Sequence, residues 1–340
     1  GYYSGYSAST TAPYYRKGGQ NTAVGSHALQ NVASGSSNTS LGYYGGSRVT
    51  TGDHNIAIGA ESYGASTGDD NITMGYRAML TNHTLNKNVA IGNSSLYYPG
   101  AGGSGRNITI GYQAMYGHST GGAASFNVGV GYRTLYQVGT GTGNVAIGDS
   151  AGYQMLSGSS NVYVGYSAGH WATGSNNAFM GYEAGRGGNT SAPFNSGGQN
   201  VGVGHSALKS FTTGTSNVAI GYQALDGNTT GNESVAVGYN AVGNTSTSQV
   251  IGVGAYAAHN GIGAGTVAVG YEAGYYSQQA NNTFLGHQSG KGTGAAGYGN
   301  STGLGYQALK GLTSRRGFGS VDSKKIIRKR RGFGAKKNID

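Results

Sequence analysis

Three hundred and forty residues with 68 glycines, 27 tyrosines, 3 prolines and no cysteine exclude a disulfide scaffold, a cysteine-ligated metal and the Gly-X-Y repeat of collagen. Charged residues are 9%, against the usual ~25%. No run of about 18 apolar residues is present to form a membrane-spanning helix. The net charge of +10 is uneven: residues 315–340 hold ten Lys/Arg and two Asp (+8), whereas the other 314 residues hold eleven Lys/Arg and nine Asp/Glu (+2). The body therefore lacks the basic face that nucleic acid requires, and its aromatic and β-branched content argues against ordinary disorder.

In chain order, residues 1–20 read as a lead-in with one partial coil, Gly5-Tyr6-Ser7-Ala8. Neither an initiating Met nor a signal peptide precedes Gly1, as expected of a processed or partial chain. Residues 21–309 then repeat. Aligning segments such as Asn144-Val145-Ala146-Ile147-Gly148 and Asn217-Val218-Ala219-Ile220-Gly221 gives seventeen anchor glycines, from Gly25 to Gly305, mostly 16 or 17 residues apart. Relative to the anchor, position −1 is aliphatic in all seventeen copies, and −3 is Val, Ile or Thr in all but the Ala178 copy. Position −2 is mostly small, and −4 is Asn in thirteen copies. Tyr stands at +1 ten times, polar residues dominate +2, and +3 is always small.

Alternation with period two predicts a strand. Its aliphatic slots share one face, expected to be buried, and the small slot and the Asn share the other. The anchor glycine allows a turn with positive φ, and the following Tyr-x-Ala-Leu reads as a second short strand. One coil is too short to bury its own apolar face, so coils stack and identical slots form ladders. The fold class expected is all-β: a parallel β-solenoid of about 17 coils of 16–17 residues, and at ~4.8 Å per coil a rod of roughly 80 Å. The smooth row of Ala, Gly, Ser and Thr at −2 would let another backbone approach closely. Lateral association of several copies through that row is therefore expected, with cyclic symmetry.

Residues 310–340 form a basic tail in which Arg-Arg-Gly-Phe-Gly occurs at 315–319 and again, shifted, at 330–334. It reads as a solvated segment, with a polyanion contact or a docking peptide for a neighbouring protein as alternatives.

No catalytic, cofactor-binding or metal-ligating set is expected, and the chain reads as a non-enzyme. Glu61, Glu183 and Glu272 all occupy +2, and the last two are five coils apart, whereas glycoside hydrolysis needs two acids flanking one bond. His205 and His287 occupy the Tyr slot and His27 the position beyond it, as variable rungs. The Asn-x-Ser/Thr sequons, as at Asn38, Asn71, Asn107 and Asn228, follow from composition, and most Asn belong to the ladder. The Tyr ladder reads either as inter-coil stacking or as rings that hold glycans. Breaks in a solenoid map to loops, often on the binding face. Three long intervals make candidate receptor contacts of Tyr97 and Tyr98 (92–111), Tyr116 and Phe126 (111–131), and Phe194 (181–204). The alternative is that these are tolerated surface loops.

The Asn-Val-Ala-Ile-Gly-Tyr-x-Ala-Leu pattern, at 217–225, 144–151 and 88–96, resembles the heads of YadA-type trimeric autotransporter adhesins. In its spacing and its Gly-Tyr-Gln-Ala wording (111–114, 221–224, 305–308) it is closer to the repeat region of phage tail-fibre proteins, often followed by an intramolecular chaperone. The resemblance covers residues 5–309. It implies a left-handed β-roll assembled as a homotrimer: a structural fibre of a phage tail or similar appendage attaching to a cell-surface glycan or protein, with neighbouring fibre or tail proteins as partners. The alternative it implies is the head of a bacterial trimeric surface adhesin. Location on a virion tail or at the cell surface, without membrane insertion, follows. No coiled-coil heptads follow the repeats, and only Ser320–Lys325 loosely resembles the start of a fibre chaperone.

Overall fold

The computed structural model describes residues 18–64, 67–81, 84–98, 105–117, 124–188, 195–292, 299–311 and 318–320. It is a parallel β-solenoid, and the described residues contain no helix. Among the described residues, eighteen strands of three residues each, from β1 (Thr22–Val24) to β18 (Phe318–Ser320), form a single sheet. Every strand pairs in parallel with its sequence neighbours, in register: Val145, Ala146 and Ile147 stand opposite Val162, Tyr163 and Val164. The last strand, β18, lies beyond residue 309 and pairs with Thr302–Leu304.

The strand faces are the reverse of the expectation. The −2 residue points inward: Ala146, Ala219 and Ala268 are wholly buried. The −3 and −1 residues point outward, with Val24 54% and Ile220 42% exposed. The reason is size. The coil is too narrow to hold two β-branched side chains per strand, so its interior takes small residues at −2 and +3 and one larger side chain, which in eight of the seventeen coils is Leu or Met at +4 (Leu29, Met79, Leu225). Where −2 is itself large, +4 is reduced to glycine. Tyr163 packs where a methyl on Gly169 would collide with its ring, and Phe179 and Phe284 stand in the same relation to Gly185 and Gly290. This also corrects the expected lateral contact, because the small row lies inside the chain's own core.

The second expected strand is absent; Tyr-x-Ala-Leu is a turn. Its residues at +2 and +4 have left-handed backbone, as at Gln223 (φ 52°) and Leu225 (φ 52°), a conformation costing ~1–2 kcal/mol per non-glycine residue. The gain is in hydrogen bonding. The Gln223 N–H donates to the His205 carbonyl of the coil before (2.9 Å), and the Leu225 N–H donates to the Ala241 carbonyl of the coil after (3.0 Å). These two left-handed residues thus send their amides in opposite directions along the rod, while the Ala224 N–H between them turns back to the Gly221 carbonyl of its own coil (3.4 Å). The anchor is glycine for two reasons, seen at Gly221: its φ is 135°, and an added Cβ would overlap the Gly238 carbonyl oxygen.

Behind each strand runs the Asn ladder. Asn144 Oδ1 accepts from the backbone N–H (2.9 Å) and the Nδ2 (3.0 Å) of Asn161, while its own Nδ2 donates to the Gly158 carbonyl (2.9 Å). Asn38, Asn71 and Asn107 are buried rungs of this ladder and Asn228 is also buried, so these sequons present no accessible amide.

Candidate interaction surfaces

Three surfaces arise from the outward slots. The first is the aliphatic band. Two rows of seventeen residues, none of them charged, run the length of the sheet's outer face, with Leu41, Met74, Ile110, Ile147, Met180, Leu285 and others exposed. Beside them stands the +1 row of exposed tyrosines. Its rings stack on one another where consecutive coils supply them: Tyr222 on Tyr239 at 5.2 Å, and His205 between Tyr182 (4.8 Å) and Tyr222 (5.0 Å). His287 stands in the same way between Tyr271 and Tyr306. The histidines in this slot are therefore rungs.

The second surface is an aromatic ridge at +5. Tyr97, Tyr116, Tyr136, Tyr153 and His170 stack continuously, with centroids 4.8–5.2 Å apart and planes within 13°. Tyr98 meets Tyr97 and Tyr116 edge-on. At the other end Trp171 stands edge-on to His170, and the Arg186 guanidinium lies 4.4 Å over its ring. Three of the five expected contact residues, Tyr97, Tyr98 and Tyr116, thus form one cluster. Phe126 lies elsewhere, in the −5 row, with the Arg106 guanidinium 5.1 Å over it. Phe194 lies outside the described residues. Stacking uses the faces of the ridge rings, so what they turn to solvent is edges and hydroxyls. Burial raises the phenol pKa of Tyr97, Tyr116 and Tyr153. Burial, reinforced by Arg186, depresses His170 to about 4 and keeps it neutral.

No protein-family model and no curated protein matches the chain.

The third surface is the polar row at +2. Its carboxylates stand in separate ion pairs: Glu61 with Arg77 (2.8 Å), Glu183 with Lys209 (2.8 Å) and Arg186 (3.6 Å), Glu272 with Lys291 (2.6 Å). Glu272 also accepts from Gln288, which in turn accepts from Gln307. Burial raises the Glu272 pKa, but the bonds from Lys291 and Gln288 outweigh it and leave the carboxyl below its ordinary value. Each acid serves to tie neighbouring coils.

The near-N-terminal coils carry a pocket of about 390 Å³ beside Tyr43, Tyr44 and Arg48. Sequence reasoning missed it, because it is made by a side chain that is lacking, at Gly64. The exposed aliphatic band was missed for a different reason: alternation defines two faces without saying which one is inside.

Proposed function

We propose that this chain is a structural subunit of a fibre, as in the tail of a phage or a similar appendage that attaches a particle to a cell surface. In this reading it is a left-handed β-roll, as the repeat's resemblance implies, and three copies associate with parallel axes. The observation that carries the reading is the aliphatic band. Monomeric soluble proteins rarely expose contiguous apolar patches beyond a few hundred Å². Seventeen rungs at ~4.8 Å and a width of about 10 Å make roughly 800 Å², the area each partner gives to a standard stable interface.

The occupant that fits is a second copy of the same chain. A partner must present apolar groups at the coil pitch along the whole rod, and an identical rod does so. The two rows carry no charge, so like-charge repulsion does not oppose self-association. Three-fold closure is the geometry of the fibres and adhesins that the repeat resembles, and closed cyclic symmetry is the common outcome for homo-oligomers. The interface in this account is the outward −3 and −1 rows, in place of the buried small row.

Attachment is tested by mixing fluorescently labelled full chain with a panel of bacterial cells and counting what co-sediments. The wild type is expected to be retained by its host surface. The Ile220→Lys variant, weakened in assembly, should lose retention through lost multivalency. A fully assembled protein that no cell surface retains would overturn the attachment reading.

A further inference from the structure

The pocket near the N-terminal coils has the chemistry of a ligand site. The +5 row lacks a side chain at Gly64, between Ser47 and Leu80 of the adjoining coils; it lacks one again at Gly243, but there the His259 ring takes the space. A Cβ there would overlap the Leu80 carbonyl oxygen, so the backbones approach closely and the side-chain layer is empty. The floor is rigid: Tyr63 fills the +4 core slot, its hydroxyl donating to the Gly68 carbonyl (2.7 Å) and accepting from Asn71 Nδ2 (2.9 Å). A volume of about 390 Å³ lies at the small end of the ~300–1,000 Å³ typical of small-molecule sites.

Four kinds of group converge on this space. Tyr43 is 55% exposed. Its row neighbours are Ser26 and Ala60, so no aromatic rung adjoins it in its row; Tyr44 meets it edge-on (4.5 Å, 89°). His27 also stands at right angles to it (6.2 Å, 80°), so among the described residues no ring stacks parallel on Tyr43, unlike the rings of the Tyr97–His170 ridge. Asn31 donates Nδ2 to the Ser47 carbonyl (2.7 Å), which leaves Oδ1 as an acceptor. Glu61 is neutralised by Arg77 through Oε2, and Oε1 is left to accept. Arg48 is exposed, has no carboxylate partner among the described residues, and makes one long bond, to the Leu80 carbonyl at 3.5 Å. An aromatic face, planar acceptors and one uncompensated guanidinium are the elements that recognise a pyranose carrying a carboxylate.

We propose that this pocket binds a carboxylate-bearing sugar residue, such as a hexuronic acid of a surface glycan. The Tyr43 ring takes the apolar face of the pyranose, Asn31 and Glu61 accept from its hydroxyls, and Arg48 pairs with its carboxylate. The proposal rests on the attachment reading and supplies its ligand class. None of the pocket's lining residues belongs to the outward −3 and −1 rows, so assembly through the aliphatic band leaves these groups out of that contact.

The test uses the full chain and saturation-transfer NMR with methyl glucuronide, methyl galacturonide and methyl glucoside at millimolar concentration. Saturation transfer to at least one uronide is expected, with the neutral glucoside about fivefold weaker, as for a partly exposed ion pair. Arg48→Gln should abolish the preference, and Tyr43→Ala should abolish binding of all three. Both positions are at the surface, so an unchanged thermal unfolding curve verifies that the variants are folded. Absence of transfer to either uronide, or equal transfer to the glucoside, would overturn the proposal. Cell adsorption separates the two readings: wild-type protein that adsorbs without binding uronides refutes the pocket, and protein that binds uronides without adsorbing refutes attachment.

Discussion

Gly252 occupies the −2 slot between Ala236 and Ala268 of the neighbouring strands. Gly252→Ala adds one methyl, and whether that methyl meets core or solvent separates the observed faces from the reverse arrangement. A Cβ at Gly252 would lie 2.5 Å from Cγ2 of Val242 and 3.0 Å from the Ala257 carbonyl oxygen. Val242 cannot swing away: it is β-branched, with restricted χ1, wholly buried, and held in left-handed backbone (φ 50°). Overpacking of this kind costs ~1–3 kcal/mol. Replacing glycine at a backbone conformation that alanine accepts returns ~0.4–1 kcal/mol through the unfolded chain. The expected net destabilisation is therefore about 1–2 kcal/mol. Val242→Ala relieves the collision, so the double variant should be more stable than the sum of the two single changes by about 1 kcal/mol. Urea unfolding followed by circular dichroism reads both quantities. A neutral or stabilising Gly252→Ala, or strict additivity with Val242→Ala, would refute the inward placement of the small row.

Asn144→Ala removes the acceptor for two Asn161 donors and the donor to the Gly158 carbonyl, all buried, so a loss of about 2–4 kcal/mol is expected in the same assay. Asn144→Asp keeps the acceptor but lacks the Nδ2 donor and should be at least as damaging. His170 has a folded-state pKa of about 4 against an ordinary value near 6.5. The unfolded chain then binds more protons between those values, so stability falls as pH drops from about 6.5 toward 4, by on the order of 1–3 kcal/mol. His170→Tyr, which puts the common rung of the Tyr97–Tyr153 ridge in its place, should remove that part of the slope, measured as the midpoint of thermal unfolding against pH; an unchanged slope would contradict the assignment.

Much of the fold was legible because the solenoid writes its geometry into a period. The anchor spacing set the coils, and the recurrent Asn set a hydrogen-bonded ladder that the structure bears out at Asn38 through Asn217. Which strand face is inside was misread from hydrophobicity, since Val145 and Ile147 are more apolar than Ala146 and yet point out. The signal that decides it was present in side-chain volumes: Tyr163, Phe179 and Phe284 at −2 coincide with Gly169, Gly185 and Gly290 at +4, as they must if both slots share one narrow core. The turn at Gln223–Leu225 was not legible, because nothing in a side chain such as Gln or Leu announces left-handed backbone. Among the contact residues, Tyr97, Tyr98 and Tyr116 come together because adjacent coils put equivalent positions one rung apart. Phe126 belongs to a different row, and spacing from the following anchor, Gly131, rather than the preceding one would have placed it there. The pocket at Gly64 depends on what surrounds an absent side chain, which a single sequence does not display.

The account turns on the outward aliphatic band being covered by other copies of the chain. Sedimentation equilibrium of the full chain at micromolar concentration tests this most directly. The account predicts a mass three times 34.3 kDa, falling toward the single-chain mass when Ile147→Lys and Ile220→Lys place charges in the band. A wild-type protein that sediments as a 34.3 kDa monomer would contradict it.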